Sequence, residues 1–236
     1  MFSWFERRIN PYPADAPGLP PAGLVAFLWF YTKPVWPWVV IMSVCTALIA
    51  VGEVALFSFL GDIVDWLTNA DRATFLQSEA PRLFFMGFVV LVALPLVATL
   101  NSLIMHQILM GNFPMIARWQ MHRFLLQHSM AFFANEFAGR VSTKVMQTSL
   151  AIRETVMKVL DVFVYVLTYF VSMIALVAAA DIRLAIPLVV WIIVYCSTVA
   201  YYVPRLRKIS SEQADARSMM TGRVVDSYTN IGTVKL

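Results

Sequence analysis

Charge is scarce in this chain: 14% of its 236 residues are Asp, Glu, Lys or Arg. A soluble domain of that size carries about a quarter. Cysteine is scarcer still. Cys45 and Cys196 both lie inside apolar stretches, which excludes a disulfide framework or a zinc cluster and leaves them as small apolar residues of a helix bundle. None of the nine glycines is followed by lysine, so the Gly-x-x-x-x-Gly-Lys-Ser/Thr loop that cradles nucleotide phosphates is absent. Of the three histidines, His122 and His128 are six residues apart and fall on different helix faces, and adding His106 makes no metal site. Glu136, Glu154 and Asp161 are too widely spaced, and too close to basic residues, for an acid–base pair. The chain therefore offers no catalytic, metal or cofactor constellation of its own. No secretory signal is expected either, because the apolar run 24–31 follows a proline-rich stretch and lacks a small-residue cleavage site.

What is present is hydrocarbon. Sixty per cent of the residues are hydrophobic and the mean hydropathy is +0.71. Four uncharged runs stand out: Pro34–Gly52 of 19 residues, Leu83–Ala117 of 35, Val162–Ala180 of 19 and Leu184–Pro204 of 21. A membrane-spanning helix needs roughly 20 apolar residues, so the expected spans are 34–55, 83–117, 162–180 and 184–204. The second run is long enough for two short spans turning at Gly111-Asn112-Phe113-Pro114, or for one helix whose inner end leaves the membrane buried against its neighbours. Two spans would put the basic segment Arg118–Asp161 on the wrong side, which favours one long helix to about Met130, kinked at Pro95 and Pro114.

Loop charges orient the chain. Fifteen of 18 basic residues fall in 1–33, 118–161 and 205–236, while the connection 53–82 holds five acids against Arg72 and Arg82. The positive-inside rule then makes both ends and both long loops cytoplasmic. The formal charge of +4 reports orientation and gives no argument for nucleic acid. The expected location is an integral membrane site, the bacterial inner membrane.

Along the chain, 1–23 is a cytoplasmic leader with breakers at Pro11, Pro13, Pro17, Pro20 and Pro21. Trp29, Tyr31, Trp36 and Trp38 flank Lys33 and mark an interfacial segment entering the first span. The third helix is expected from about Val141, and Asp181-Ile182-Arg183 is short enough to force a hairpin. The fourth helix continues as a polar helix through Arg205–Arg217. Two helical arms thus project into the cytosol. The closing residues 224–236 read as a helix–turn element with no capping stop, which predicts a fragment of a longer protein.

A few polar residues sit inside the spans. Glu53, Asn101, His106 and Asn112 are candidates for a substrate path, because lipid cannot satisfy such groups and they turn to a cavity or a neighbouring helix. Interhelical hydrogen bonding is their other use. Asp161 is expected to pair with Lys158 or Arg153 on its own helix.

The tip of the first arm carries Phe132-Phe133, then Glu136-Phe137, Gly139-Arg140-Val141-Ser142 and Thr143-Lys144. This resembles the first intracellular loop of ABC exporters, an aromatic pair followed six residues later by Gly, then an aliphatic residue, Ser and Arg. The run Asp226-Ser227-Tyr228-Thr229-Asn230-Ile231-Gly232-Thr233-Val234-Lys235 resembles that family's second loop. Ala134 and Thr148 stand where the family commonly has Asp, and Thr143-Lys144 where it has Ser-Arg. Over 24–236 the resemblance implies an all-α membrane protein, the first four of six long helices in an ABC-exporter transmembrane domain, with cytoplasmic extensions and coupling helices.

It further implies that Phe132, Phe133, Phe137 and Gly139 in the first loop, and Asp226, Tyr228 and Asn230 in the second, meet a nucleotide-binding domain in cis or trans. The same resemblance implies ATP and Mg for a full-length, ATP-hydrolysing parent, and as partners the lipid bilayer and an identical or similar half-transporter. Exposed cytoplasmic aromatics are themselves an unusual patch unless they enter a partner's groove. The alternative is a complete four-helix membrane scaffold or partner subunit without ATPase coupling.

Overall fold

An apolar run placed in hydrocarbon must satisfy its peptide groups internally, and a helix does so. The computed structural model describes residues 3–14, 18–69, 75–135 and 138–235, and among these it is all-α with no strand. Four helices are long and apolar enough to cross a membrane: Leu24–Thr68, Ser78–Leu125, Val141–Ala180 and Ile182–Gln213. The chain divides into two units, Met1–Leu176 and Val177–Leu236.

In the first unit, a short α1 (Ser3–Glu6) precedes α2 (Leu24–Thr32), and a single 3₁₀ turn at Lys33–Val35 joins α2 to α3 (Trp36–Asn69). Pro34 and Pro37 are tolerated because each sits in the first turn of its helix, where the missing N–H has no partner to lose. With 34 residues, α3 is about 50 Å long.

The second apolar run is one unbroken helix, built from α4 (Phe75–Phe88), α5 (Leu94–Leu103) and α6 (Met110–Leu125). Between them lie π-helical turns at Val89–Ala93 and Ile104–Leu109. The first widened turn contains Leu91, whose carbonyl the Pro95 ring would meet, and the second ends at Leu109, five residues before Pro114. A proline ring collides with the carbonyl four residues back, and widening the preceding helix absorbs that clash. Pro114 also leaves the Met110 carbonyl without its usual N–H, and Arg153 Nη1 donates to that carbonyl at 3.3 Å. The helix ends at Leu125 rather than near Met130. Turn bonds at 126–128 close it, and Ser129 accepts from the Phe132 N–H to open α7 (Met130–Asn135).

The third helix comprises α8 (Ala138–Met157), a π-helical turn at Lys158–Phe163 and α9 (Val164–Ala180). The core lies at the end of the bundle nearest the charged segment. Tyr31, Val35, Val39 and Met42 recur at helical spacing and meet Ile104, Ile108, Phe113 and Ile116 of the second helix and Ile152 and Val156 of the third. Farther along, Leu91, Leu96, Leu167 and Val171 are exposed, as a lipid-facing or partner-facing surface requires. Gly52 lets α3 approach α5 closely, since a Cβ there would lie 2.3 Å from Leu94 Cδ2.

The leader folds back onto this core. Phe5 and Ile9 pack into it. Asn112 Nδ2 donates to the Glu6 carbonyl at 3.1 Å, Trp119 Nε1 to Pro13 O at 3.0 Å, and Arg123 Nη1 to Ala14 O at 2.5 Å. Tyr12 meets Trp119 edge to face at 5.4 Å. A proline-rich segment has few internal partners for its carbonyls, so side chains of α6 supply them.

The second unit is dominated by α10 (Ile182–Thr229), 48 residues long, followed by α11 (Ile231–Val234). Asp181 caps α10 through Oδ1, which accepts from the Arg183 N–H at 2.8 Å. The helix continues twelve residues past Arg217, the expected end, because neither Pro204 nor Gly222 interrupts it.

Candidate functional site

Polar groups on an apolar helix find each other when their spacing puts them on one face. On α3, Ser43, Thr46 and Glu53 are three and seven residues apart and form one stripe. Opposite them are Leu160, Asp161 and Tyr165 of the third helix. Ser43 Oγ donates to the Leu160 carbonyl at 2.8 Å, and Thr46 Oγ1 donates to Asp161 Oδ1 at 2.6 Å. The Tyr165 hydroxyl donates to Glu53 Oε2. Asn101 of α5 joins from the second helix, its Nδ2 donating to Thr46 Oγ1 at 3.4 Å. Asn101 Oδ1 is enclosed without a partner. Leu160 and Asp161 lie within the π-helical turn Lys158–Phe163. A widened turn displaces carbonyls from the regular ladder, which leaves one for Ser43 to bond.

This seam changes the reading of Asp161. Its carboxylate accepts from Thr46 across the helix interface, while Arg153 turns to Glu154 at 3.5 Å and to the Met110 carbonyl. In a dry setting a hydroxyl from the next helix satisfies the carboxylate without stretching a long cationic side chain to it. Of the four substrate-path candidates, Glu53 and Asn101 enter the seam. The exposed His106 bonds back to its own helix through Ser102 O at 2.9 Å, and Asn112 holds the leader. Ser43, Thr46 and Tyr165 were missed. The stripe of Ser43, Thr46 and Glu53 was a legible signal, but its partners on the third helix were not.

Nearer the charged end, the second and third helices are tied directly. Arg118 Nε donates to Ser149 Oγ at 3.0 Å, and that fully buried serine donates to Met146 O at 2.8 Å. The Arg118–Ser149 bond, together with Arg153–Met110, ties α6 to α8 on the way to the tip. There α7 presents Phe132 and Phe133, with ring centroids 5.3 Å apart. Phe132 leans on His128 at 4.8 Å, and His128 on Phe124 at 5.0 Å. Phe133 borders a groove of about 320 Å³ with Leu126, Val141, Val145 and Met146, yet stays 40% exposed. Leu126 and Met130 beside it are 65% and 84% exposed. Gly139 lies in the first turn of α8, and Phe137 falls outside the described residues.

In the second unit, Asp226, Tyr228 and Asn230 mark the end of α10. Asn230 leaves helical geometry at φ −105°, ψ 33°, with its Nδ2 donating to the Asp226 carbonyl at 3.1 Å. Tyr228 is 72% exposed. The helix thus breaks where the second loop motif begins its Ile-Gly-Thr-Val run.

Residues 39–236 match the family model described as the ABC transporter transmembrane region. The chain belongs to this family. It is 42% identical over all 236 residues to an uncharacterized ABC transporter ATP-binding protein of Haemophilus influenzae, and spans 38% of that relative's length. No solved structure matches. As an ABC transporter transmembrane region, the chain is an integral membrane protein, and its seam and tips can be read as parts of a transporter's membrane domain.

Proposed function

We propose that this chain is the membrane-spanning part of an ATP-driven exporter, with its charged arms in the cytosol and its tips coupled to nucleotide-binding domains. The observation that carries this reading is the tip of α7, where Phe133 stays exposed beside the half-buried Phe132, at the end of the hydrogen-bonded α6–α8 pair. A mechanical input at that tip would travel along two helices locked by Arg118–Ser149 and Arg153–Met110 to the seam at Asp161. The end of α10 at Asp226–Asn230 is the second contact point.

ATP and Mg belong to the partnering domain, because this chain has no Gly-Lys phosphate loop. Closure of two such domains would shift the helices between inward- and outward-facing states through differential affinity. A second half-transporter, identical or similar, would cover the open apolar faces. The seam of Glu53, Asn101, Thr46 and Asp161 lines the substrate route or holds its wall together.

Phe133→Ala in the full-length protein tests the coupling. An aromatic anchor at an interface is worth about 2 kcal/mol or more, so cargo-stimulated ATP hydrolysis should fall at least tenfold while the protein still inserts and binds nucleotide. Unchanged stimulation would overturn the assignment of the tip. An absence of any ATP hydrolysis in the native protein would favour the scaffold reading instead.

A further inference from the structure

The leader carries two cations that the transport reading does not use. Ser3, Trp4, Arg7 and Arg8 surround a cleft of about 370 Å³. The Arg8 guanidinium lies 3.6 Å from the centroid of the Trp4 ring, and Trp4 meets Phe5 edge to face at 4.8 Å. Among the described residues neither arginine makes an ion pair with a carboxylate. Arg8, held over an indole, and Arg7 beside it, both left without an anion, form half of a recognition site.

The position of the cleft says what the other half is. Phe5 and Ile9 are packed into the core, and the Glu6 carbonyl is bonded to Asn112. Asn101 bonds Thr46 and Gly52 abuts Leu94 across the antiparallel first and second helices, a register that sets Asn112 level with Val35. That is where Lys33 and its flanking tryptophans mark the membrane interface, so the cleft belongs at the boundary between hydrocarbon and headgroups. Trp29 and Trp36, edge to face at 4.8 Å beside Lys33, belong to the same end of the bundle. Trp4 is 56% exposed, as suits an indole with one side in acyl chains and one in water.

We propose that Ser3, Trp4, Arg7 and Arg8 bind the phosphate of an anionic phospholipid in the leaflet facing the charged arms. The arginines hold the phosphate oxygens, the Ser3 hydroxyl donates a further bond, and Trp4 packs on the glycerol and upper acyl region. The leaflet follows from the orientation proposed above, whereas the site itself does not depend on it. A lipid bound there would pin the leader, and through Asn112 it would pin the second helix beside Pro114.

Native mass spectrometry of the full-length protein, with phosphatidylglycerol or phosphatidylcholine of identical acyl chains, tests this. The unaltered protein should retain phosphatidylglycerol with roughly ten- to thirtyfold preference, from two arginines near a membrane surface. R7Q/R8Q should bring the preference within about twofold, while R207Q/K208Q on the second unit should leave it. Millimolar inorganic phosphate should not displace the lipid. Equal retention of the two lipids by the unaltered protein overturns the proposal without any variant, as does a full preference surviving in R7Q/R8Q. Displacement by phosphate would make the cleft a site for free anions and refute the lipid assignment.

Discussion

Arg153→Ala isolates how the long second helix tolerates Pro114. The proline removes the N–H that would bond to the Met110 carbonyl, and Arg153 Nη1 takes its place at 3.3 Å. A hydrogen bond to a charged group contributes about 1.5–3 kcal/mol. At 3.3 Å this one belongs at the lower end, near 1.5 kcal/mol. The Arg153–Glu154 contact at 3.5 Å, with Glu154 well exposed, adds at most about 0.5 kcal/mol.

Arg153→Ala should therefore destabilise the full-length protein by about 1.5–2 kcal/mol. The decisive measurement is the double-mutant cycle with Pro114→Ala. Alanine restores the N–H, so the Met110 carbonyl is satisfied within its own helix whether or not Arg153 is present. In that background Arg153→Ala should cost about 0.5 kcal/mol, a coupling near 1 kcal/mol. Reversible unfolding in mixed micelles provides the free energies. An equal cost of Arg153→Ala in both backgrounds would refute the idea that the arginine replaces the missing proline N–H.

Gly52→Ala places a methyl against Leu94 and should cost about 1–3 kcal/mol by overpacking. The same unfolding assay should show part of that loss recovered in Gly52→Ala/Leu94→Ala. Thr46→Val keeps the side-chain shape but removes the donor to Asp161. Hydrogen bonds between membrane helices measure about 0.6–1.7 kcal/mol, so a loss in that range is expected, with Asp161→Asn adding little once Thr46 is gone. Independent, additive effects of those two substitutions would show that the Thr46–Asp161 bond does not hold the helices.

The sequence alone determined the all-α membrane class, because runs of 19 to 35 uncharged residues leave helices as the one way to satisfy the backbone in hydrocarbon. It also placed two aromatic or polar tips at defined chain positions, since motif spacing is a local property. Tertiary structure decided the partners. Asp161 has Lys158 within helical reach on its own helix, yet its carboxylate bonds to Thr46, 115 residues away. The proline-rich leader reads only as a run of helix breakers until Asn112, Trp119 and Arg123 take its carbonyls. Pro95 and Pro114 predict a disturbance of the helix, but widened turns and a borrowed arginine are solutions only packed neighbours provide. Composition and periodicity fix which face of a helix is polar. Which groups meet across that face depends on the register of separate helices, and that is set by packing over long range.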